Sequence, residues 1–269
     1  MKDAPHVLDR DRRLLLETRR DIASTDLLVQ QCPLVAFHAA LRFTRDRLGE
    51  ARVQFLDALA DFARESDETA DARRDVQTAA EDAADVWRWL VGKLRDRLLN
   101  PPPGARLTPD EMLRRERLVD RLFPVSPSGF RGATNDQQRQ WLKAAIRGLS
   151  DPLVCAPLGD LSGLKAVDRL EAALADVRAV RETLDRESGE DRSATERFEH
   201  ARAHLDDAVK LHGMQVEATL RAWGRLDALG DFLYARDPAY RVRQMTGKGL
   251  TLEPGMADID AEVRLALAG

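Results

Sequence analysis

The residues best placed to do chemistry are Glu196, His200 and His204, which stand four apart in the chain. On a helix this spacing puts a carboxylate and two imidazoles on one stripe, where they can bind a divalent metal ion. The neighbouring apolar seam, which contains Phe198 and Leu205, places both histidines on its flank or outer face. No further ligands are evident on another segment, and the Glu-x-x-His pairs of di-iron bundles are absent from the sequence. A solvated polar face therefore competes with the metal site, and we predict no bound cofactor.

A second candidate is a basic segment near the end of the chain, in which four cations are interleaved with Tyr234 and Tyr240. The cations of this candidate anion or partner contact are Arg236, Arg241, Arg243 and Lys248. Basic side chains beside aromatic ones favour weak binding to nucleic acid or to an anionic surface. Cations near the C-terminus of a helix are also stabilising without any ligand. The chain mixes 42 basic with 46 acidic residues along its whole length, which argues against nucleic acid as a partner.

The sequence contains no recognisable catalytic motif. The run at 246–249 lacks the upstream glycine and the following Ser or Thr of a phosphate-binding loop. No Ser, His and Asp set or Cys and His pair can be singled out, because an all-helical chain has no strand-to-helix elbow to present one. His212 lies within an apolar seam, and both it and His38 are typical of core histidines bonded to a backbone carbonyl or an acid. We therefore predict that the protein is not an enzyme.

The composition is typical of long amphipathic helices. Of the 269 residues, 43% are hydrophobic, 33% charged and only 5% aromatic, and no run alternates Val, Ile, Thr or Tyr between turn residues. The first residues lack the apolar run of a secretory signal, and no stretch approaches the roughly 20 apolar residues of a membrane span. We expect a cytoplasmic protein without a transmembrane segment.

The first half of the chain carries a heptad-like pattern with one polar interruption. Apolar residues recur every three or four positions over 34–62 and again over 76–98. The polar run at 64–68 between them predicts the tip of a helical hairpin. Because this run contains no Gly or Pro, a single bent helix of about 65 residues is the alternative.

The second half carries a similar pattern with a clearer interruption. Its seam runs over 164–184, breaks at Gly189 and restarts at Ser193, with Glu196 three residues later. A glycine followed by the spacing of a capping box is typical of one helix ending and the next beginning. This break favours a hairpin in both halves.

Short matches between the halves predict an approximate internal repeat. Residues 58–62 match 173–177, and Cys32 and Cys155 each lie in a proline-containing loop before a predicted hairpin. If the halves are repeats, the two tips are equivalent turns.

The predicted fold is therefore all-α, with two tandem long antiparallel helical hairpins packed as a coiled-coil-like bundle with shorter accessory helices. The predicted segments are an N-terminal helix plus the first hairpin at 1–104 (tip near 64–69), a linker at 105–160 with two short helices and a Pro/Ser/Gly loop, the second hairpin at 161–238 (tip near 187–192), and an irregular tail at 239–269 with a short C-terminal helix. Thr108 with Glu111 and Thr134 with Gln137 are predicted to open the two short helices as capping boxes.

Extended helical faces without a catalytic motif favour a structural or interaction protein. Such a scaffold or adaptor would bind protein partners or copies of itself. The alternatives are a bundle that binds a metal or small ligand at His200, at His204 or in a pocket near His212, and weak nucleic-acid or anionic-surface association through 236–248.

Overall fold

The computed structural model describes residues 9–99, 107–156, 162–236 and 255–268, and within these ranges every regular element is helical. The α-helices are α1 (Asp9–Gln31), α2 (Val35–Leu99), α3 (Pro109–Leu122), α4 (Pro127–Arg131), α5 (Asn135–Ser150), α6 (Pro152–Cys155), α7 (Ala166–Trp223), α8 (Leu229–Phe232) and α9 (Met256–Ala268). Short 3₁₀ helices occupy Ser162–Leu164, Leu226–Ala228 and Tyr234–Arg236. The all-α prediction is confirmed.

The two predicted hairpin tips are wrong, because both lie inside continuous helices. Residues 64–69 belong to the 65-residue α2, and residues 187–192 belong to the 58-residue α7. The seam of α2 continues through the first run in phase, since Thr69 and Ala72 are 1% and 4% exposed. The alternative of one long helix was therefore the correct interpretation of the first half.

The predicted break at Gly189 was wrong because a glycine inside a helix costs only about 1 kcal/mol relative to alanine. Burial of neighbouring side chains readily offsets a cost of that size. Ala194 is fully buried in α7 a few residues beyond Gly189. Among the described glycines only Gly224 and Gly255 have a positive φ, of 75° and 89°. Gly224 follows the last residue of α7, so the glycine that ends this helix lies well beyond the predicted break.

The helices form two compact units, which cut across the predicted segments. Unit 1 comprises residues 1–67 and 190–269, and unit 2 comprises residues 68–189. α2 and α7 contribute to both units and pack against each other, and neither long helix folds back as a hairpin at its predicted tip. The equivalent turns expected of an internal repeat do not exist, and the repeat itself stays a prediction.

In unit 1, α2 and α7 run antiparallel. The rings of Phe55 in α2 and Phe198 in α7 lie 5.3 Å apart, while Thr44 lies beside His212. Helices α1, α8 and α9 complete the core of this unit around the pair. Leu205 is fully buried, as its seam position predicted.

Unit 2 is built around Trp87, which is fully buried. Its ring lies 4.8 Å from Phe123 and 4.5 Å from Phe130, and its Nε1–H donates to the Val125 carbonyl at 3.2 Å. Phe130 belongs to α4, so the predicted irregular loop contains a helical turn that the core anchors. The predicted capping boxes at Thr108 and Thr134 are both confirmed.

α2 and α7 also run antiparallel in unit 2. The hydroxyl of Thr69 donates to the Glu187 carbonyl at 3.1 Å, and the Arg169 guanidinium lies 4.5 Å from the Trp89 ring centre. α3 and α5 pack closely because Gly148 has no side chain: a Cβ there would lie 2.3 Å from Leu122 Cδ2.

Candidate protein-interaction site

The outer face of unit 2 carries an open groove between α3 and α6, with a volume of about 510 Å³. Thr108 caps α3, and Asp151 caps α6 by accepting from the Leu153 amide at 2.9 Å. Val119 and Leu122 of α3 are buried in the core of unit 2. We call this surface the α3–α6 groove; its lining consists of Glu111, Arg114, Arg115, Leu118, Arg121, Leu153 and Val154.

Unit 2 exposes large apolar side chains on α3 and α6, and one of them, Leu153, lines the groove. Leu153 in α6 is 87% exposed, and Leu113 and Met112 in α3 are 46% and 37% exposed. Across the described part of unit 2, the exposed large hydrophobic side chains are confined to α3 and α6. Leu153 is therefore the exposed apolar side chain that a partner in the groove would contact, together with Leu118 and Val154 of its lining.

The groove is also positively charged. Arg114, Arg115 and Arg121 form no ion pair with any residue that the structure describes. Elsewhere in unit 2, by contrast, Arg95 pairs with an aspartate at 3.1 Å and Arg131 pairs with another at 2.9 Å. The three groove arginines are thus available to anionic groups from outside the chain.

The one acid in the groove, Glu111, is already engaged by the N-terminus of α3. Its carboxylate accepts from the Thr108 amide at 2.8 Å and from the Thr108 hydroxyl at 2.9 Å. These hydrogen bonds hold the pKa of Glu111 below its ordinary value, and Arg115 and Arg114 add to the effect. The Glu111 carboxylate therefore stays ionised and hydrogen-bonded to Thr108. The three arginines outnumber this one acid, so the groove carries a net positive charge.

Sequence reasoning missed this groove. Met112, Leu113, Val119 and Leu122 are all apolar, so residue type alone does not separate the exposed from the buried positions of α3. Only Val119 and Leu122 are buried. A usable signal was present in the adjacent pair Met112-Leu113, since two neighbouring positions on a short helix point about 100° apart and rarely share one narrow stripe.

The predicted metal ligands Glu196, His200 and His204 all lie exposed on α7 in unit 1. His204 Nδ1 is 3.1 Å from the Gln54 side-chain oxygen of α2. The ligand atoms of these three side chains do not all lie within 4.8 Å of one another. Metal binding at this stripe stays a prediction.

The predicted basic contact falls largely beyond the described residues. Arg236 is the last residue of a short 3₁₀ helix, and Arg241, Arg243 and Lys248 lie outside the described ranges. Anion or partner binding there stays a prediction.

The histidine predicted to lie in the core, His212, is fully buried in unit 1 between two threonines. Its Nε2 is 2.9 Å from the Thr25 hydroxyl and its Nδ1 is 3.0 Å from the Thr44 hydroxyl. Burial lowers the pKa of His212 to about 4, so the ring is neutral at pH 7. A neutral ring has one N–H, so it donates to one threonine and accepts from the other.

The partner type for His212 was predicted wrongly, because threonine hydroxyls replace the expected carbonyl or acid. For the partly buried His38 the prediction was right: its Nε2 lies 2.8 Å from the Cys32 carbonyl.

A buried carboxyl lies one helical turn from Thr25 and was not predicted. Asp21 is 4% exposed, and its Oδ1 accepts from the Tyr234 amide at 2.7 Å. Burial raises the pKa of Asp21 to about 7 against the lowering effect of that hydrogen bond, and nearby Glu17 raises it further. The seam Thr18, Asp21 and Thr25 between leucines, spaced by three and four, was the signal for a polar interior.

No described helix is both long enough and apolar enough to cross a membrane. Comparison of the chain with protein-family models, with curated proteins and with solved structures finds no match.

Proposed function

We propose that the chain is a non-enzymatic helical interaction protein whose unit 2 binds a protein partner through the α3–α6 groove. The observation that supports this function is the exposed Leu153 of the groove lining beside three arginines that form no ion pair with any described residue. Apolar side chains left in water are unfavourable by roughly 25 cal/mol per Å², and a partner relieves that cost by covering them.

The chemistry of the groove specifies the partner's surface. Arginine is enriched at protein interfaces because its guanidinium binds a carboxylate through two parallel hydrogen bonds. Leu118 and Leu153 belong to the same groove lining as the three arginines and supply an apolar contact. The matching segment presents at least one large apolar side chain flanked by aspartate or glutamate.

The proposal is tested by site-specific photo-cross-linking in the native host. A photoreactive residue in place of Leu153 is compared with one in place of Arg73, an exposed residue of α2 in unit 2. We expect a protein adduct at position 153 that is absent at position 73. The adduct should disappear when Arg114→Glu and Arg115→Glu are introduced together.

The purified partner then gives a quantitative test. Loss of an anchor at the centre of an interface costs 2 kcal/mol or more, which weakens binding by roughly thirtyfold. Leu153→Asp should produce a loss of that size, whereas Arg73→Glu should leave the affinity unchanged. Equal effects of the two substitutions would remove the α3–α6 groove as the site. Catalytic turnover by the purified protein would remove the non-enzymatic assignment.

A further inference from the structure

Two acidic side chains of unit 2, one from each long helix, lie close together. One carboxylate oxygen of Glu68 in α2 and one of Glu187 in α7 are within 4.8 Å of each other. The Thr69 hydroxyl donates to the Glu187 carbonyl at 3.1 Å, which ties the two helices together beside these acids. We call the two side chains the Glu68–Glu187 pair. Because both stand on long packed helices, the pair is held on rigid elements rather than on a loop.

Glu187 is buried with one of its oxygens unpaired. Its side chain is 10% exposed. The Oε1 atom accepts from the Arg186 Nη2 at 2.7 Å and from the Arg186 Nε at 3.3 Å. The Oε2 atom is also buried, but no described residue donates a hydrogen bond to it. A buried carboxylate oxygen without a donor is unfavourable, so this atom is available to a ligand from outside the chain.

The Glu68–Glu187 pair also carries excess negative charge. Glu68 is exposed and forms no ion pair with any residue that the structure describes. The Arg186 side chain, which pairs with Glu187, is 65% exposed, so water screens much of its positive charge. Two carboxylates this close repel each other, and a cation between them would convert that repulsion into attraction.

We infer that the Glu68–Glu187 pair binds a hard divalent cation of the size of Ca²⁺. Calcium takes carboxylate oxygens at about 2.3–2.6 Å, so two ligands on opposite sides of the ion are roughly 4.6–5.2 Å apart. A separation of at most 4.8 Å between the two oxygens can therefore be bridged by one such ion. The exposed Glu68 leaves the remaining coordination positions open to water.

The donor set decides the class and the strength of the site. Both donors are carboxylate oxygens, which suit calcium, magnesium and manganese rather than the softer metals that prefer imidazole or thiolate. Calcium affinity rises with the number of charged ligands, and sites with few of them have dissociation constants of about 0.1–1 mM. We expect the Glu68–Glu187 pair to fall in this range. The inference does not depend on the α3–α6 groove, because neither acid belongs to its lining.

Equilibrium dialysis of the full-length chain against radioactive Ca²⁺ tests the inference. Salt at about 0.15 M screens non-specific attraction to the acidic surface. We expect one ion per chain with a dissociation constant of about 1 mM or lower. Glu187→Gln and Glu68→Gln each keep the size of the side chain and remove its charge, so each should weaken binding at least about tenfold. No saturable binding by the wild type up to about 10 mM Ca²⁺, tenfold above the weakest expected constant, would overturn the inference.

Glu182→Gln is the matched control, because Glu182 is an exposed acid of α7 in the same unit. This variant should bind Ca²⁺ as the wild type does. If all three substitutions weaken binding equally, Ca²⁺ is attracted only by the general charge of the surface and the inference fails. Glu68 is exposed, so Glu68→Gln keeps the test decisive even if the buried Glu187→Gln does not fold.

Hydrogen exchange identifies where the ion binds. Saturating Ca²⁺ should slow amide exchange in peptides that contain Glu68 or Glu187 and leave α3 and α5 unchanged. Binding that persists in Glu68→Gln and Glu187→Gln but is lost when His200→Ala and His204→Ala are introduced together would place the ion at the predicted stripe of unit 1. That outcome would overturn the inference for unit 2.

Discussion

The buried pair Asp21 and His212 predicts opposite pH dependences for two substitutions in unit 1. Asp21 has its pKa raised from 3.8 to about 7, so it stabilises the fold fully below pH 3.8 and loses that contribution as the pH rises through 7. His212 has its pKa lowered from 6.5 to about 4, so its contribution is full above pH 6.5 and is lost as the pH falls through 4.

The two contributions oppose each other between about pH 4 and pH 6.5, because folding takes up one proton at Asp21 and releases one at His212. One proton changes the free energy of unfolding by about 1.4 kcal/mol per pH unit. Across that window each group alone changes stability by about 3 kcal/mol, and together they nearly cancel. The groups facing this pair are Glu17, Ser24, Thr25, Thr44 and the Tyr234 amide.

Asp21→Asn keeps an acceptor for the Tyr234 amide but removes the titrating carboxyl at position 21. Of the two pH dependences of stability, only the one from His212 then remains. Relative to the wild type, this variant should gain about 3 kcal/mol as the pH rises from 4 to 6.5. His212→Gln should show the reverse trend and lose stability over the same range. Urea unfolding followed by far-ultraviolet circular dichroism gives both free energies at each pH.

The measured quantity is the difference from the wild type, which removes the titration of groups common to all variants. Asp57→Asn, at an exposed position of α2, controls for the loss of one carboxylate. A difference between Asp21→Asn and the wild type that stays constant from pH 4 to pH 8 would show that the Asp21 carboxyl is not held in the desolvated environment described above.

Three further predictions concern α7. Leu205→Ala should lower the free energy of unfolding by about 2 to 5 kcal/mol because Leu205 is fully buried, whereas Leu211→Ala, at a side chain 37% exposed, should change it by about 0.5 kcal/mol or less. Gly189→Ala should raise the free energy of unfolding by about 0.5 to 1 kcal/mol, since a Cβ there meets nothing within 4 Å. A loss of stability would instead favour a turn at position 189, as the hairpin prediction requires. If Glu196, His200 and His204 bind zinc, elemental analysis of protein made without a chelating tag should find stoichiometric metal that His200→Ala with His204→Ala removes, and sub-stoichiometric metal in the unmutated protein would end the metal hypothesis.

The features that the sequence predicted well are local ones. The capping boxes at Thr108 and Thr134 depend on residues three apart, so the chain specifies them without reference to anything else. Burial of Leu205 follows from a seam that repeats every three or four positions. A heptad pattern shows which side of a helix is buried, but it does not encode which other helix covers that side.

The candidate site could not be predicted for the same reason. Met112 and Leu122 are both apolar residues of α3, and only their contacts with the rest of unit 2 decide that one is exposed and the other buried. The charge of the groove likewise depends on which acids lie nearby: Asp120 belongs to the same helix as Arg121 yet pairs with Arg95 of α2. The adjacency of Met112 and Leu113 shows that they do not share one narrow stripe, but spacing shows neither which residues are exposed nor which acids lie nearby.

The polar runs at the two predicted tips show how helix pairing overrides local signals. In unit 2 the hydroxyl of Thr69, on the buried side of α2, donates to the Glu187 carbonyl of α7, so a side chain at the first predicted tip contacts the backbone at the second. A backbone carbonyl inside a helix has two lone pairs and can accept from both its own helix and a neighbouring hydroxyl. The hydrogen bond from Thr69 and the burial of Ala194 both favour a helical α7 here and oppose the cost of Gly189. The two polar runs therefore remain helical because contacts between the antiparallel helices outweigh the local turn signals.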